Sequence, residues 1–469
     1  MSEASLRSEP GLGRRPVERA FDRSSGGPSI PGNRVTLLQD GTEVYPAMLR
    51  LIAEARHWIH FENYIIRADQ TGQKFAAALS TRAREGIAVR LIYDWLGSIG
   101  TPRRYWKQLR DAGVEIRCFN PPNLIRLLKN ISRNHRKMVV VDGQRAIVGG
   151  LCIGDEWIGD PEKGLLPWRD TAVEIAGPAA SMIDASFARV WLTMGSPIPD
   201  DQRSAEVPEF GDARVRVVAG EPGRERAYRV LEYLAAGCGG RLWITDAYLV
   251  PPPRLFTVLV EAAREGADIR LLVPGTSDVP FVRNLTRIGY RDLLRAGIRI
   301  SEWEGPMLHA KTAVVDGTWC RVGSSNLNAS SLLGNYELDV VINDAELAST
   351  MEAQFRKDLA SSVEVERRQL PGSARLGRLA PSRLTRQTTG ERRLVPHRTR
   401  RNLRGRTAIA ARTVISGAWR SFLGPLSLGL VVTALLFFGL PRAMAYFFGG
   451  LCVWVGIAAG LEAWKRRKD

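Results

Sequence analysis

One short stretch occurs twice in this chain, and it limits the folds the chain can adopt. The first copy reads Asn134-His135-Arg136-Lys137-Met138-Val139-Val140-Val141-Asp142-Gly143. The second reads Leu308-His309-Ala310-Lys311-Thr312-Ala313-Val314-Val315-Asp316-Gly317. Each is His-x-Lys, then four mostly β-branched residues, then Asp-Gly. Seven positions after each Asp a small pair begins, Gly149-Gly150 and Gly323-Ser324. The copies lie 174 residues apart and contain two of the chain's five histidines.

Side chains alternate faces along a strand, so His135 and Lys137 share a face, as do His309 and Lys311. The Val-rich run predicts a buried strand, and Asp-Gly predicts a turn after it. An imidazole beside a fixed ammonium offers a nucleophile or proton donor next to a cation, which suits a phosphate group. One such stretch is most simply a strand with two polar rim residues. Two copies with matched flanks point to a site.

The rest of the chain repeats in the same register. Strands are expected at 35–38, 58–66, 89–93 and 114–119, with helices at 45–55, 75–85 and 105–112. Such alternation predicts an α/β sandwich around a central sheet. Trp243-Ile244-Thr245-Asp246-Ala247-Tyr248 answers Trp58-Ile59-His60-Phe61-Glu62-Asn63, and Ala296-Gly297-Ile298 answers Ala112-Gly113-Val114. The offsets of 185 and 184 residues shrink to 174 at the motifs, as loop-length changes would produce. The chain therefore reads as a duplicated domain. One motif per half predicts a single shared site at a pseudo-twofold interface, with His135 and His309 facing one phosphate.

The double His-x-Lys-x4-Asp pattern resembles the phospholipase D superfamily. Its flanks resemble the bacterial cardiolipin synthase branch, of the type without amino-terminal membrane helices. The stretches that carry the likeness are Glu62-Asn63-Tyr64-Ile65, Arg84 to Arg90, Trp168-Arg169-Asp170 and Gly323-Ser324-Ser325-Asn326-Leu327. The resemblance implies two tandem α/β sandwich domains and a phosphohistidine mechanism. One imidazole attacks phosphorus while the other protonates the leaving alkoxide and then deprotonates the incoming alcohol. From the residues alone either histidine can take either role; the resemblance implies His135 as nucleophile and His309 as acid/base. Lys137 and Lys311 would hold the non-bridging oxygens.

Each imidazole needs a partner to fix its tautomer. Asp170 and Glu337 lie at similar distances downstream of the two motifs, and the resemblance assigns acids there to this part. Asn326 and Ser330 would add neutral donors to the phosphate. Asp142 and Asp316 belong to the paired motif and are grouped with its catalytic residues, although their place at a turn also fits a structural role. No metal or other cofactor is expected, because the lysines supply the charge. One departure concerns the first half: the family usually has Asn where this chain has Cys152, and a thiol is a poor donor beside an amide. The second copy also has Ala329-Ser330 where Arg-Ser is common.

Composition sets the outer segments. Residues 1–33 are rich in Ser, Gly, Pro and Arg and are expected to be a disordered leader. Domains follow at 34–205 and 206–366. Five scattered cysteines lack disulfide or metal spacing, which fits a reducing compartment. Residues 367–469 hold 20 basic and 3 acidic residues, which is the whole formal net charge of +17; residues 1–366 hold 46 of each. Residues 367–421 form an Arg-rich linker. Two apolar runs, 422–440 and 443–463, are each just long enough for a membrane span of about 20 residues, and a basic tail, 465–469, follows. A transmembrane hairpin within 422–464 with basic flanks predicts both ends in the cytoplasm.

The resemblance, taken with the apolar tail, implies a phosphatidyltransferase at the bacterial inner membrane, multi-pass, with its catalytic region cytoplasmic. Its substrates would be phospholipids, with phosphatidylglycerol or phosphatidylethanolamine as donor and phosphatidylglycerol as acceptor. A neutral catalytic region and an apolar tail argue against a nucleic-acid partner. The alternatives are a phospholipase D-type hydrolase using the same residues, and a non-catalytic lipid-binding membrane protein. The apolar, basic stretch 121–129 is a candidate cover over the site.

Overall fold

The computed structural model describes residues 14–122, 132–160, 162, 164, 166–202, 206–276, 278 and 280–366. After helix α1 (Arg14–Ser25), the first repeat runs β1 (Ile30–Gln39), α2 (Asp40–Ala53), β2 (Trp58–Asn63), α3 (Gln70–Arg84), β3 (Ala88–Asp94), α4 (Arg103–Asp111), β4 (Glu115–Phe119), β5 (Met138–Val141), β6 (Arg145–Gly149), α5 (Asp155–Ile158), β7 (Thr171–Ala176) and α6 (Pro178–Leu192). The second runs β8 (Ala213–Gly220), α7 (Arg226–Ala236), β9 (Arg241–Thr245), α8 (Pro253–Arg264), β10 (Asp268–Pro274), α9 (Pro280–Arg295), β11 (Arg299–Trp303), β12 (Thr312–Val315), β13 (Trp319–Gly323), β14 (Glu337–Asn343), α10 (Ala345–Ala360) and β15 (Ser362–Glu364).

The duplication is visible in the strand order. The first repeat orders its strands β1-β7-β6-β5-β2-β3-β4 and the second β8-β14-β13-β12-β9-β10-β11. In both, the last three strands run parallel and the others antiparallel. The parallel strands are those joined by helices, as crossover connections require. The repeats are not two separately closed sandwiches. β1 pairs antiparallel with β8, so one fifteen-stranded sheet runs through both. One core also serves both: Val148, Val173 and Ile175 cluster with Val322, Val340 and Ile342. Burying these β-branched faces against each other stabilises the pair of halves by roughly 1.5–3 kcal/mol per side chain.

Two expectations are corrected here. Residues 1–33 are not wholly an unstructured leader: from Arg14 the chain forms α1, and β1 begins at Ile30. The reason is tertiary. The Phe21 ring lies 5.8 Å from Tyr233 and 6.2 Å from Trp319, and the buried Arg216 guanidinium sits 4.4 Å over that ring. Arg216 also donates to the Asp22 carboxylate at 2.5 Å. The His-x-Lys segments, second, precede their strands, which begin at Met138 and Thr312. They are still extended, because each pairs with the other repeat: Asn134 bridges Tyr336 and Leu308 bridges Arg169. Alternation therefore survives, with Arg136 turned inward to Glu62 and Ser186.

Among the described residues no helix is long and apolar enough to cross a membrane. The hairpin expected at 422–464, its Arg-rich linker and most of the 121–129 stretch lie outside those residues. Cys118, Cys152, Cys238 and Cys320 are free thiols.

Candidate active site

The backbone bridges between repeats set the two histidines beside each other's half. His135 N donates to Tyr336 O at 2.9 Å, and His309 N donates to Arg169 O at 2.7 Å. Each bridge delivers the next residue of the partner segment to the imidazole. Glu337, after Tyr336, accepts from His135 Nδ1 at 3.0 Å. Asp170, after Arg169, accepts from His309 Nδ1 at 2.7 Å. The carboxylate partners are thus exchanged across the pseudo-twofold. Both imidazoles line one cleft of about 730 Å³.

The small pairs after each motif explain how the acids fit. A Cβ on Gly150 would fall 2.2 Å from Asp170 Oδ1, so only glycine leaves room for that carboxylate. The matching residue of the second repeat, Ser324, donates its hydroxyl to Glu337 at 2.5 Å instead. Ser331 donates to the other Glu337 oxygen, also at 2.5 Å.

These donors fix the charge states. Burial alone would raise both acids, but His309, Lys311 and the Thr171 N–H hold Asp170 below the usual carboxylate range. His135, Lys137 and Ser324 do the same for Glu337. An ionised carboxylate only accepts, so each Nδ1 carries the proton and each Nε2 keeps its lone pair. Burial pushes both imidazoles below their ordinary value; the Lys311 charge adds to this at His309, while Glu337 opposes it at His135. Resting imidazoles are accordingly neutral and able to act as nucleophile or base.

Lys137 and Lys311 are buried and bend back to donate to the carbonyls of His135 and His309. Burial brings the Lys311 ammonium down to about 8 and lowers Lys137 as well. The two ammoniums lie beneath the cleft wall rather than in its lining, 5.2 Å from the Tyr64 ring and 5.9 Å from the Tyr248 ring, and among the described residues neither makes a close ion pair with a carboxylate. Asn326 and Ser330 line the same cleft. So does Cys152, at the place in the first repeat that Asn326 holds in the second; burial raises its thiol despite both lysines.

Asp142 and Asp316 do not belong to the site. Both sit at positive φ (53° and 50°) at the strand ends. Asp142 accepts from the backbone N–H groups of Arg56, His57 and Trp58, and Asp316 from those of Gly239, Gly240 and Arg241. They pin the β5–β6 and β12–β13 turns to the neighbouring strand, which is the structural alternative their position allowed.

Four aromatic side chains also line the cleft. Tyr64 lies 5.0 Å from the His135 ring, and Tyr248 and Trp168 lie 6.1 and 5.6 Å from the His309 ring; Trp157 stands behind Trp168. The sequence held a signal for the two tyrosines, which fall within one place of each other at the ends of the matched segments, and for Trp168, near Asp170.

A duplicated sheet with crossed histidine–carboxylate pairs at one cleft and two lysines buried beneath it is the architecture of a phosphoryl-transfer enzyme. The family pattern described as "Cardiolipin synthase, PLD-like domain" matches residues 48–160 and 234–359. A cardiolipin synthase of Geobacillus sp. (strain WCH70) is 33% identical over 362 residues, 75% of this chain and 72% of that protein. Cardiolipin synthase A of Pseudomonas aeruginosa (strain PAO1) is 35% identical over 350 residues, 74% of this chain and 71% of that protein. Among solved structures, phosphatidylserine synthase of Haemophilus influenzae Rd KW20 shares the fold, with a TM-score of 0.57 at 15% identity over 76% of this chain and 93% of that one. The chain belongs to the cardiolipin synthase family of phospholipase D-like proteins.

Proposed function

We propose that the protein is a phosphatidyltransferase that makes cardiolipin from two phosphatidylglycerol molecules and releases glycerol. The observation that carries this reading is the crossed pairing of each cleft imidazole with a carboxylate of the other repeat. Nε2 of one histidine, taken as His135, attacks the donor phosphorus. The phosphorus–oxygen bond to glycerol breaks, and His309, protonated from solvent once the phosphodiester's negative charge lies beside it, gives that proton to the leaving oxygen. The phosphatidyl group is then on His135. Next, His309 takes the proton of the acceptor hydroxyl, that oxygen attacks phosphorus, and the phosphorus–nitrogen bond breaks. Lys137 and Lys311 hold the non-bridging oxygens, where negative charge gathers. Asp170 and Glu337 keep both tautomers correct and stabilise the imidazolium that forms.

Transfer rather than hydrolysis needs a site that favours a lipid alcohol over water. Ile65, Val250, Trp157 and Trp168 give the cleft an apolar wall. Around it, Leu96, Ile99 and Leu166 are 47%, 61% and 68% exposed. The loop carrying Leu96 and Ile99 packs on Tyr64, since Ser98 Oγ donates to the Tyr64 carbonyl, and Leu166 lies two residues before Trp168. Exposed apolar loops around a lipid-cleaving cleft suit contact with a bilayer. The apolar segments at 422–464 would tether the protein to the inner membrane.

Expression in a cardiolipin-deficient membrane followed by lipid mass spectrometry tests the reading. Cardiolipin should appear with the native chain and be absent with His135→Ala and His309→Ala. Phosphatidic acid as the main product would make the protein a hydrolase instead.

A further inference from the structure

A second cavity lies apart from the catalytic cleft and shares none of its lining residues. It has a volume of about 180 Å³, equivalent to roughly six waters at ~30 Å³ each. Three segments meet there: the turn after α1, helix α6, and the end of β8 with the loop that follows. Its polar side is Arg189, Arg224 and Arg226, and its apolar floor is Met182, Val217 and Ala219.

The charge on this cavity is not balanced. One carboxylate, Glu221, faces all three guanidinium groups at 3.7, 3.5 and 3.7 Å. One carboxylate shared at 3.5–3.7 Å among three guanidinium groups leaves the cluster with a surplus of positive charge. Arg226 is held in place by donating to the Ala219 carbonyl at 3.0 Å. The chain makes room for it: a Cβ on Gly26, at φ +89°, would fall 2.7 Å from Arg226 Nε. Burial and mutual repulsion lower both Arg189 and Arg226, with the Arg136 charge adding at Arg189. Such a cluster gains most from a group with several anionic oxygens that guanidinium forks can grip.

We infer that the Arg189, Arg224 and Arg226 cavity is a phosphate-binding site for a phosphoester with a small organic substituent, either a phospholipid headgroup or a free glycerol phosphate. The apolar floor takes the carbon side of the ligand and the arginines its phosphate. Gly220, the last residue of β8, pairs with Glu337, which holds His135. The site does not depend on the transfer chemistry above, and direct binding reads it whether or not the protein turns over.

The full-length chain in zwitterionic detergent would be titrated with sn-glycerol 3-phosphate by calorimetry, with hydrogen exchange followed over residues 213–229. The native chain should show two binding events, with protection in that segment. Arg189→Ala/Arg224→Ala should lose one event and the protection, at about tenfold or more in affinity per guanidinium. Arg189→Lys/Arg224→Lys keeps the charge without the fork and should bind weakly, which also serves if the alanine variant folds poorly. Co-sedimentation with phosphatidylcholine vesicles, with or without phosphatidylglycerol, then assigns the source. A variant that loses the phosphatidylglycerol-dependent part of binding marks a lipid headgroup; one that loses only glycerol phosphate marks a free ligand. A single event in the native chain that disappears in Lys137→Ala/Lys311→Ala, or variants that bind like the native chain, would overturn the inference.

Discussion

Asp170, in the first repeat, accepts a hydrogen bond from Nδ1 of His309, in the second, at 2.7 Å. Neither half can therefore orient its own imidazole, and the site exists only when the repeats are docked. Asp170→Asn keeps the shape but replaces an obligate acceptor with a group that can donate, which favours the wrong tautomer. Activity should fall by about 10³- to 10⁴-fold, as for other histidine–carboxylate pairs, with substrate affinity little changed. Steady-state kinetics on phosphatidylglycerol vesicles would check this. A loss below tenfold would mean the pair is structural.

The pH profile follows from burial. In the free enzyme both imidazoles are held below the ordinary histidine value. The acid limb of kcat/KM, which reports the free enzyme, should thus fall below about 6.5. Lys311, lowered to about 8, loses its proton as pH rises through that value, and the phosphate clamp weakens with it. The alkaline limb should accordingly lie near 8. The same shift has a sign for stability. A lysine whose folded value is depressed penalises the fold where it must be charged, so unfolding free energy should rise between about pH 8 and 10.5 in the absence of ligand. A limb near 10 would show the ammonium to be better solvated than its burial implies.

Helix α1 docks on the second repeat through Phe21, Asp22 and Ser25. Asp22→Ala removes the carboxylate beside the buried Arg216, although Ser25 and the Gly27 carbonyl still accept from that guanidinium. A loss of about 1–3 kcal/mol is expected for weakening a buried charge-assisted contact. Phe21→Ala should cost a similar amount, since the ring is only partly buried. Denaturant unfolding would measure both, and activity at a permissive temperature should persist.

The repeat, the paired imidazoles and lysines, and the two acids were legible because each is a local pattern that recurs at a fixed offset. The exchange of acids was not, because Asp170 and Glu337 each follow their own motif in sequence and cross only through the bridges of Arg169 and Tyr336. The α1 helix was hidden for a different reason. Its segment is polar and Arg-rich, with a single large ring, and it is ordered by Tyr233, Trp319 and Arg216, some 190 to 300 residues away. The Asp142 and Asp316 turns were ambiguous because a motif acid and a turn acid look alike until the backbone N–H groups they accept from are known.

The inequality of the two half-sites can be tested by making them alike. Cys152 and Asn326 occupy matched places beside the lysines, and both line the cleft. Asn326 can donate to a phosphate oxygen through its amide, whereas a thiol whose proton is held by burial donates weakly. Cys152→Asn should raise kcat/KM by about fivefold, the worth of one neutral hydrogen bond, if the cleft accepts the longer side chain. Asn326→Ala should lower it by at least as much. Cys152→Ala separates the effects: a thiol that contributes nothing to phosphate binding leaves kcat/KM within about twofold of the native value. A fall in activity for Cys152→Asn, with Cys152→Ala near native, would show that the first half-site is shaped around a small side chain and that the asymmetry serves the acceptor rather than the phosphate.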